Sequence, residues 1–443
     1  MEAEIVQEVE ALLGPEAVAE LDFEALEVAL RQQALRLAAC AIEQRFNAGT
    51  TDEAGPRVRC DCGNEARYAG RRVKQVQSVL GPLRLERAYY HCPACGHGCC
   101  PRDRHLGIEN TSLSPALTRM TGTVGAMVSF EEGSELLQEL AGVTVDAKQV
   151  ERTAEALGEE IAEDERLHTE PSDTLPLPPT LYLGMDGTGI PLRAEELAGR
   201  TGKQPDGSAK TGEVKLCTVW SAESLNEEGL PVRDQGSVSY SAALESAATL
   251  DTAKERSAFA QRVGREATRR RFGQTSRTAV LGDGAPWIWN IAEDQFPGAL
   301  QIVDRFHAKQ HLSDLGKALY GPTAPRASQW ADRRKEELDS GKFQALLTAL
   351  RRQVPRSEEA RRCLHYFQTN RQRMRYPEFH AQGLCTSTGV VEAGCKVAIG
   401  TRLKRAGMHW TVRGSNAIIA LRCSKLSGRF QDFWERRSER NAA

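Results

Sequence analysis

The sequence of 443 residues has no long apolar run, few aromatic residues and almost no net charge. A membrane-spanning helix needs roughly 18 consecutive apolar residues, and no window of the sequence approaches that length. The N-terminal sequence MEAEIVQEVE is acidic, whereas a secretory signal is basic and then apolar. These absences predict a cytoplasmic protein with no membrane partner. The 12 cysteines should then be reduced, and a cluster of them should bind metal rather than form disulfides.

The net charge of −2 conceals segments of opposite sign. Residues 1–56 carry 3 Lys/Arg against 12 Asp/Glu, and residues 107–180 carry 4 against 15, which are net charges of −9 and −11. Residues 57–106 carry 10 against 4 and residues 301–443 carry 27 against 13, which are +6 and +14. Such asymmetry favours a polyanionic partner such as nucleic acid, and the alternative is that these charges are solvated helix faces.

The chain is long enough for two or three domains, at about 150 residues each. Apolar residues at helical spacing predict two acidic helices in residues 1–56. Residues 107–170 also have a helical pattern, with Asp146 as the N-cap of the last helix. These helices form either a helix-turn-helix or, as their negative charge favours, packing helices. Residues 171–180 contain four prolines and predict a linker.

Residues 57–106 contain two closely spaced pairs of cysteines. Thiolates one or two residues apart, each pair followed by glycine, can form two tight turns that converge on one tetrahedral zinc ion. Alternating apolar residues between the pairs predict a hairpin that turns at Gly81–Pro82, as in a zinc ribbon. The predicted ligands of this structural zinc are Cys60, Cys62, Cys92 and Cys95. Nearby substitutes are Cys99, Cys100, His91, His97 and His105, and the alternative is a set of ordinary thiols. Arginine and lysine residues suit this module to phosphate contact, namely Arg57, Arg59, Arg71, Arg72, Lys74, Arg84 and Arg87.

From about residue 180 strand-like and helical segments alternate, which predicts an α/β domain. Asp186 lies inside the apolar segment LYLGMDGTGI, where a buried carboxylate is costly unless it is paired or binds a metal ion. Asp283 ends the strand of TAVLGDG, and Asp304 ends the strand LQIVD. In α/β domains chemistry gathers at strand ends, so these carboxylates are candidate site residues.

A third carboxylate is needed to hold a hard divalent ion such as Mg²⁺. Glu392, in the segment STGVVEAGCK, is the best candidate, on a helix that Ser387 or Thr388 could cap. Lys396 follows at i+4 on the same helix face, where its charge could meet a phosphate near the metal.

Residues 181–430 resemble the DDE transposases with a ribonuclease-H-like core, and among them the Mutator-like insertion-sequence transposases of the ISKra type. The matching stretches are MDGTGIP, LGDGAPWIWN, DRFHAKQH, TSTGVVEAGCK and GTRLKRAGMHWT. The upstream stretches CDCGNEARYAGRR and ERAYYHCPACG also resemble the Cys-rich region of that family.

The resemblance implies a ribonuclease-H-like core that begins with residues 181–320. It implies a helical insertion at residues 321–384, and a final core helix with a basic region at residues 385–443. Asp186, Asp283 and Glu392 match the triad that binds Mg²⁺ or Mn²⁺.

Further residues match the family's accessory positions. Asp304 and His307 match a signature after the second Asp, where His307 either orients a carboxylate or phosphate or is a core histidine. Trp330, in the insertion, either stacks on DNA or packs in the core. Residues expected to hold the DNA backbone are Lys396, Arg402, Lys404 and Arg405.

The resemblance implies a transposase that binds the ends of its element, cleaves double-stranded DNA and joins the ends to target DNA. Two metal ions would catalyse both steps, and two DNA ends imply a homodimer on DNA. The alternatives are a catalytically inactive or repurposed DNA-binding relative, and a nuclease or junction resolvase on the same core.

Overall fold

The computed structural model describes residues 6–7, 9–10, 14, 22–50, 52–171, 177–199, 202, 204, 207–227, 229–247 and 255–442. The chain divides into two compact units, residues 1–157 with 430–443 and residues 158–429. Most of the first predicted acidic helix and residues 172–176 of the predicted linker lie outside the described residues. No helix in the described part of the chain has both the length and the apolar character needed to cross a membrane.

The first unit opens with helix α1 (Phe23–Asn47), where the Asp22 carboxylate caps the first turn by accepting a 2.8 Å hydrogen bond from the Ala25 amide. A four-stranded antiparallel sheet follows, in the order β1-β2-β3-β4. Its strands are β1 (Arg57–Arg59), β2 (Glu65–Ser78), β3 (Gly81–His91) and β4 (Gly98–Cys99).

Strands β2 and β3 form a long hairpin. Ser78 pairs with Gly81, so the turn consists of Val79 and Leu80. The prediction of a turn at Gly81–Pro82 was therefore wrong by two residues. Gly81 adopts a φ of +108°, a backbone conformation that favours glycine, and it begins β3.

The rest of the first unit is helical. Its helices are α2 (Pro101–His105), α3 (Pro115–Met127), α4 (Phe130–Leu136) with a π-helical turn at Leu137–Ala141, and α5 (Ala147–Leu167), which extends into the second unit. Asp146 accepts a 2.9 Å hydrogen bond from the Gln149 amide, which confirms the predicted cap of α5. Leu117, Leu137 and Val150 are buried in a shared core, so these helices pack on one another.

The second unit contains a mixed five-stranded sheet in the order β11-β10-β5-β6-β9. Strands β5, β6 and β9 are antiparallel neighbours, whereas β10 and β11 run parallel to β5. The strands of this sheet are β5 (Thr180–Pro191), β6 (Thr211–Trp220), β9 (Ser239–Ala243), β10 (Arg277–Gly282) and β11 (Leu300–Val303). A two-stranded ribbon of β7 (Ser224–Leu225) and β8 (Pro231–Val232) lies between β6 and β9 in the sequence. The predicted mixed α/β class is therefore confirmed.

Helices separate and follow these strands. Those before the predicted insertion are α6 (Ala258–Arg269), α7 (Pro286–Gln295) and α8 (Arg305–Tyr320). Residues 321–384 contain α9 (Pro325–Asp339), α10 (Phe343–Arg351), α11 (Glu358–Thr369) and α12 (Tyr376–Ala381). The last helices of this unit are α13 (Gly389–Gly394), which continues as a π-helix at Cys395–Gly400, then α14 (Thr401–Leu403) and α15 (Val412–Leu426). Helix α16 (Phe430–Ala442) belongs to the first unit.

Helix α13 packs closely on β5 and β6 because glycines remove side chains at the contact. A Cβ on Gly184 would lie 2.2 Å from Val391, and one on Gly394 would lie 2.8 Å from Leu216. Side chains alternate between the faces of a strand, so Cys217, next to Leu216, points to the opposite face, where α6 packs. The helix that carries Glu392 is thereby held against the face toward which Asp186 points, because Gly184 and Asp186 share one face.

Candidate functional site

Four cysteines converge in the first unit. The Cys60 and Cys95 sulfurs are 3.6 Å apart, as are those of Cys62 and Cys92, and all four lie within 4.8 Å of one another. A tetrahedral zinc ion with Zn–S bonds of about 2.3 Å separates its sulfurs by about 3.8 Å. The four thiols are therefore placed so that they could hold a metal ion such as zinc.

Two tight turns bring these thiols together. The Gly63 amide donates a 2.9 Å hydrogen bond to the Cys60 carbonyl, and the Gly96 amide does the same to the Cys92 carbonyl. Gly63 and Gly96 have φ values of +86° and +72°, which explains why glycine follows each cysteine pair. One turn precedes β2 and the other follows β3, so the hairpin brings both pairs to one end of the sheet.

The thiols are electrostatically unequal. Hydrogen bonding from Asn64 lowers the pKa of Cys62 to about 6. A backbone hydrogen bond from His97 lowers the pKa of Cys95, but Cys62 and Cys92 outweigh it and raise that pKa to about 12. Four close thiols therefore compete to ionise, and a bound cation would relieve this competition because it stabilises every thiolate.

Several basic residues of the Cys-rich module are already paired. Arg87 is buried and lies 2.7 Å from Asp103, which Lys74 also contacts at 3.4 Å. Arg71 pairs with Asp52 at 3.0 Å. The prediction that Arg71, Lys74 and Arg87 suit phosphate contact is therefore corrected, because their charges are neutralised within the fold.

In the second unit Asp186 and Asp283 lie in one row across two parallel strands. Leu281 of β10 pairs with Gly184 of β5, and the two aspartates follow these residues at the same offset. Neighbouring strands are about 4.8 Å apart, so the backbones that carry the two carboxylates are adjacent.

Helix α13 brings Glu392 to the same place. The Cys395 thiol, one turn beyond Glu392, lies 3.6 Å from Oδ2 of Asp186. Burial raises the pKa of Asp186, and the charges of Asp283 and Glu392 raise it further, against lowering hydrogen bonds from the Gly187 amide and Cys395. The structure thus brings together the three carboxylates that the sequence singled out. Their charges repel one another, which a divalent cation would relieve.

The carboxylates are more widely spaced than the thiols. Among the described residues, the four cysteines are the only group of three or more His, Cys, Asp or Glu side chains that converge closely enough to hold one metal ion. A site for two ions, which sit about 3.5–4 Å apart, spreads its oxygens over a wider area than a site for one.

Asp304 has a positioning role. One of its oxygens accepts a hydrogen bond from the His307 amide and caps α8. The other accepts from the amide and, at 2.8 Å, from the hydroxyl of Thr388, just before α13. Asp304 is 1% exposed, so these contacts link the end of β11 to the start of the helix of Glu392.

This contact also changes the predicted cap. Thr388 occupies the N-cap position of α13, but its hydroxyl is bonded to Asp304 and makes no cap bond. Ser387 instead accepts a 3.1 Å hydrogen bond from the Gly389 amide. His307 is half-buried and lies against His311, with ring centroids 5.0 Å apart.

Sequence reasoning missed Tyr366, in α11. Its hydroxyl donates a 2.8 Å hydrogen bond to the backbone carbonyl of Asp283, and its ring lies 4.2 Å from that of His311. Burial raises the pKa of Tyr366, and the charges of Asp283 and Asp304 add to this effect. No local motif could have found Tyr366, because its contact spans 83 positions of sequence.

The predicted phosphate-binding residues have different environments. Lys396, Lys404 and Arg405 are exposed, and the Lys404 amine contacts the Thr188 hydroxyl on β5. Arg402 is 0% exposed and lies over the ring of Trp410. The prediction for Arg402 is corrected, because a guanidinium buried in this way packs the fold and does not reach a DNA backbone.

Trp330 is half-buried on α9. Its ring is 6.4 Å from that of Tyr320, and the guanidinium of Arg334 lies 5.7 Å from its centroid. Trp330 therefore packs against neighbouring side chains, and its stacking on DNA stays a prediction.

Residues 270–438 are similar to an uncharacterised protein family, UPF0236. The matched segment includes Asp283, Asp304, His307 and Glu392, but Asp186 precedes it. No curated protein matches the chain.

Proposed function

We propose that the protein is a DDE transposase that cleaves the ends of a DNA element and joins them to target DNA. The observation that carries the proposal is the meeting of Asp186, Asp283 and Glu392, from two parallel strands and one helix, at one end of the sheet. Three carboxylates that repel one another, one within β5, one just after β10 and one on α13, are suited to hard divalent cations such as Mg²⁺ or Mn²⁺.

The sheet supports a ribonuclease-H-like core. From one edge, three antiparallel strands (β9, β6 and β5) are followed by β10 and β11, both parallel to β5. A mixed sheet of this kind is compatible with the core that the family resemblance implies. The helices of residues 321–384 separate the second aspartate from the glutamate, as an inserted helical domain would.

In the mechanism, Asp186, Asp283 and Glu392 would hold the divalent ions. Ions bound there would lower the pKa of an attacking water or 3'-hydroxyl and neutralise charge on the phosphate. Asp304 holds α13 in place through Thr388, so it is a positioning residue. Lys404, tethered at Thr188 beside Asp186, is placed to contact a phosphate near the carboxylates. No covalent attachment to the protein is needed, because positioning and charge stabilisation supply the rate.

We further propose that the cysteine cluster holds a structural zinc ion that stabilises the sheet of the first unit. Metal binding to such a site contributes to the free energy of folding, at about 10 kcal/mol in zinc-finger peptides. Because each DNA end needs a catalytic centre, we expect a homodimer on DNA.

The test is cleavage of DNA that carries the element ends, with Mg²⁺ or Mn²⁺. Asp283→Asn should abolish cleavage and strand transfer but leave binding to the ends intact. Asp332→Asn is the matched control, because the Asp332 side chain is 69% exposed on α9 and forms only a surface ion pair with Lys335.

Three results would count against the proposal. Cleavage retained by Asp283→Asn would rule out the proposed metal-binding triad. End binding without any cleavage by the wild-type protein would identify a DNA-binding relative. Cutting of branched or generic DNA without strand transfer would identify a nuclease.

A further inference from the structure

A cationic cavity of about 730 Å³ lies beside α6 and the end of α7 in the second unit. Its polar lining consists mainly of arginines and glutamines: Arg256, Arg265, Arg271, Gln261, Gln274 and Gln295. None of the described residues that line it is acidic. The cavity has no lining residue in common with the carboxylate site.

Arg265 distinguishes this cavity from an ordinary surface cluster. It is half-buried, and within the described ranges no residue forms a hydrogen bond or ion pair with its guanidinium. By contrast, three arginines near it have carboxylate partners. These pairs are Arg262 with Glu245 at 2.6 Å, Arg269 with Glu266 at 3.2 Å and Arg166 with Glu163 at 2.6 Å.

The surroundings of Arg265 disfavour its charge. Burial lowers its pKa, and repulsion from Arg262, Arg269 and Arg166 lowers it further, against a smaller attraction to Glu245. A half-buried cation without a hydrogen-bonded partner carries a desolvation cost, which the attraction to Glu245 offsets only in part. An anion bound in the cavity would supply the missing partner.

We propose that this cavity binds phosphates of the DNA backbone through Arg265, with Arg271 at its side. Arg256 also lines the cavity, but it is paired with Asp294 at 2.5 Å. Small-molecule sites are mostly apolar with a few polar groups, whereas arginines, glutamines and threonines dominate here. Arginine and glutamine side chains are typical donors to phosphate and sugar oxygens of DNA. The inference deepens the proposed function and rests on it for the identity of the polyanion as DNA.

The net charge of the segment that contains the cavity does not reveal it. Residues 181–300 have 14 Lys/Arg and 16 Asp/Glu, a net charge of −2. Several of these carboxylates are engaged elsewhere: Asp186 and Asp283 lie in the metal site, and Glu266 is fully buried. The cavity is therefore cationic although its segment is slightly acidic.

The experiment compares Arg265→Gln with Arg152→Gln. Both variants lose one positive charge, but Arg152 is exposed on the acidic helix α5 and is not among the residues that line the cavity. Binding to a fluorescent duplex of about 30 base pairs, of arbitrary sequence, is measured over a range of KCl concentrations, because phosphate contacts are independent of sequence. All variants carry Asp283→Asn, so that cleavage does not disturb the binding measurement.

Arg265→Gln should weaken binding by about 3- to 10-fold and reduce the slope of log K against log salt by about 1, the effect of one lost phosphate contact. Arg152→Gln should bind like its parent. Thermal stability should be unchanged or higher in Arg265→Gln, because the substitution removes repulsion. A purely structural arginine would instead lose stability. If Arg265→Gln does not fold, Arg271→Gln replaces it as the test of the same cavity.

Equal duplex affinities for the two variants would overturn the inference. Saturable binding of inorganic phosphate would also overturn it if Arg265→Gln bound the duplex as tightly as its parent, because the cavity would then hold free phosphate and not DNA. The two proposals fail in different ways. If the duplex binds through Arg265 but the wild-type protein never cleaves with Mg²⁺ or Mn²⁺, only the transposase function fails. If cleavage depends on Asp283 but binding is indifferent to Arg265, only the cavity inference fails.

Discussion

The hydroxyl of Tyr366 donates a 2.8 Å hydrogen bond to the backbone carbonyl of Asp283, joining a helix of residues 321–384 to the segment that carries a catalytic candidate. The next residue, Gly284, has a φ of +104°, and a Cβ there would lie 2.5 Å from the Tyr366 ring. The tyrosine ring thus packs directly on this backbone. The predicted insertion therefore does more than connect two parts of the chain, because one of its side chains holds the backbone of Asp283, a candidate metal ligand.

Replacing Tyr366 by Phe should weaken divalent-metal binding. The free energy of unfolding should fall by about 0.5–1.5 kcal/mol for the lost hydrogen bond. Cleavage, or apparent Mn²⁺ affinity, should fall about 10-fold or more, as when residues that support metal ligands are removed. Manganese titration of the cleavage rate measures the second effect.

Tyr376→Phe is the control for this prediction, because its hydroxyl donates a similar bond of 3.1 Å to the carbonyl of Val303, which is not a ligand candidate. It should lower stability to a similar extent without changing the metal dependence. Equal metal dependence in the two variants would show that Tyr366 acts only on stability.

Gly184→Ala should displace the helix of Glu392. The new Cβ would lie 2.2 Å from Val391 and 2.9 Å from Trp220, so the helix or the strand must move. Overpacking of this kind costs about 1–3 kcal/mol in the free energy of unfolding. Cleavage should fall by more than the loss of folded protein explains, because Glu392 moves away from Asp186.

Gly298→Ala provides the comparison for that substitution, since no heavy atom lies within 4 Å of its Cβ. Its stability should change by less than about 1 kcal/mol, and cleavage should be unaffected. Urea unfolding and end cleavage are measured on both proteins, and normal cleavage by Gly184→Ala would contradict the predicted helix displacement.

Asp234 should stabilise the protein in a pH-dependent way. Burial alone would raise its pKa, but hydrogen bonds from the Ser221 and Ser224 hydroxyls and from two backbone amides lower it to about 2. Because the folded-state pKa is below the ordinary value of 3.8, its stabilisation is complete above that pH. It is lost as the pH falls toward 2.

Asp234→Asn should therefore lower the free energy of unfolding by about 1–2 kcal/mol at neutral pH, a figure reduced for partial solvent screening. The difference from the wild type should shrink steadily below pH 4, as followed by urea unfolding at several pH values. A difference that is constant from pH 7 to pH 3 would show that charge is not the cause.

Removal of metal should destabilise the cysteine module. The purified protein should contain one zinc ion per chain, and Cys62→Ser should lose it together with a thermal transition of the first unit. Cys99→Ser is the control, because Cys99 lies outside the group of four converging thiols. If Cys99→Ser also lost zinc, the ligand set would have to be revised.

Much of the second unit could be predicted from local sequence. The strand of Asp186 was predicted at residues 181–190 and observed at Thr180–Pro191, because a short apolar run with glycines has few other solutions. The strand before Asp283 was predicted at residues 279–282 and observed at Arg277–Gly282. The position of Asp283 at the end of its strand was also predicted, whereas Asp186 lies within β5 and not at its end.

What could not be predicted depends on side-chain contacts and strand pairing in the folded chain. A count of charges cannot show that Arg87 is paired with Asp103, or that Arg402 is buried beside Trp410. The turn of the hairpin was misplaced because Gly81–Pro82 looks like a turn, whereas the pairing of the strands puts glycine at the start of β3. In each case the deciding contact is one that a charge count or a turn motif does not contain.

Both ends of the β2–β3 hairpin of the first unit are constrained. These constraints limit the insertions and deletions that the hairpin can accommodate. A two-residue turn closes one end, and the cysteine pairs close the other. Between Tyr68 and Arg71 the pairing shifts by one residue, so the ribbon already contains one bulge. An insertion in only one strand would need a second bulge or would draw a cysteine out of the cluster. Changes in hairpin length should therefore arise as matched pairs of residues on opposite strands.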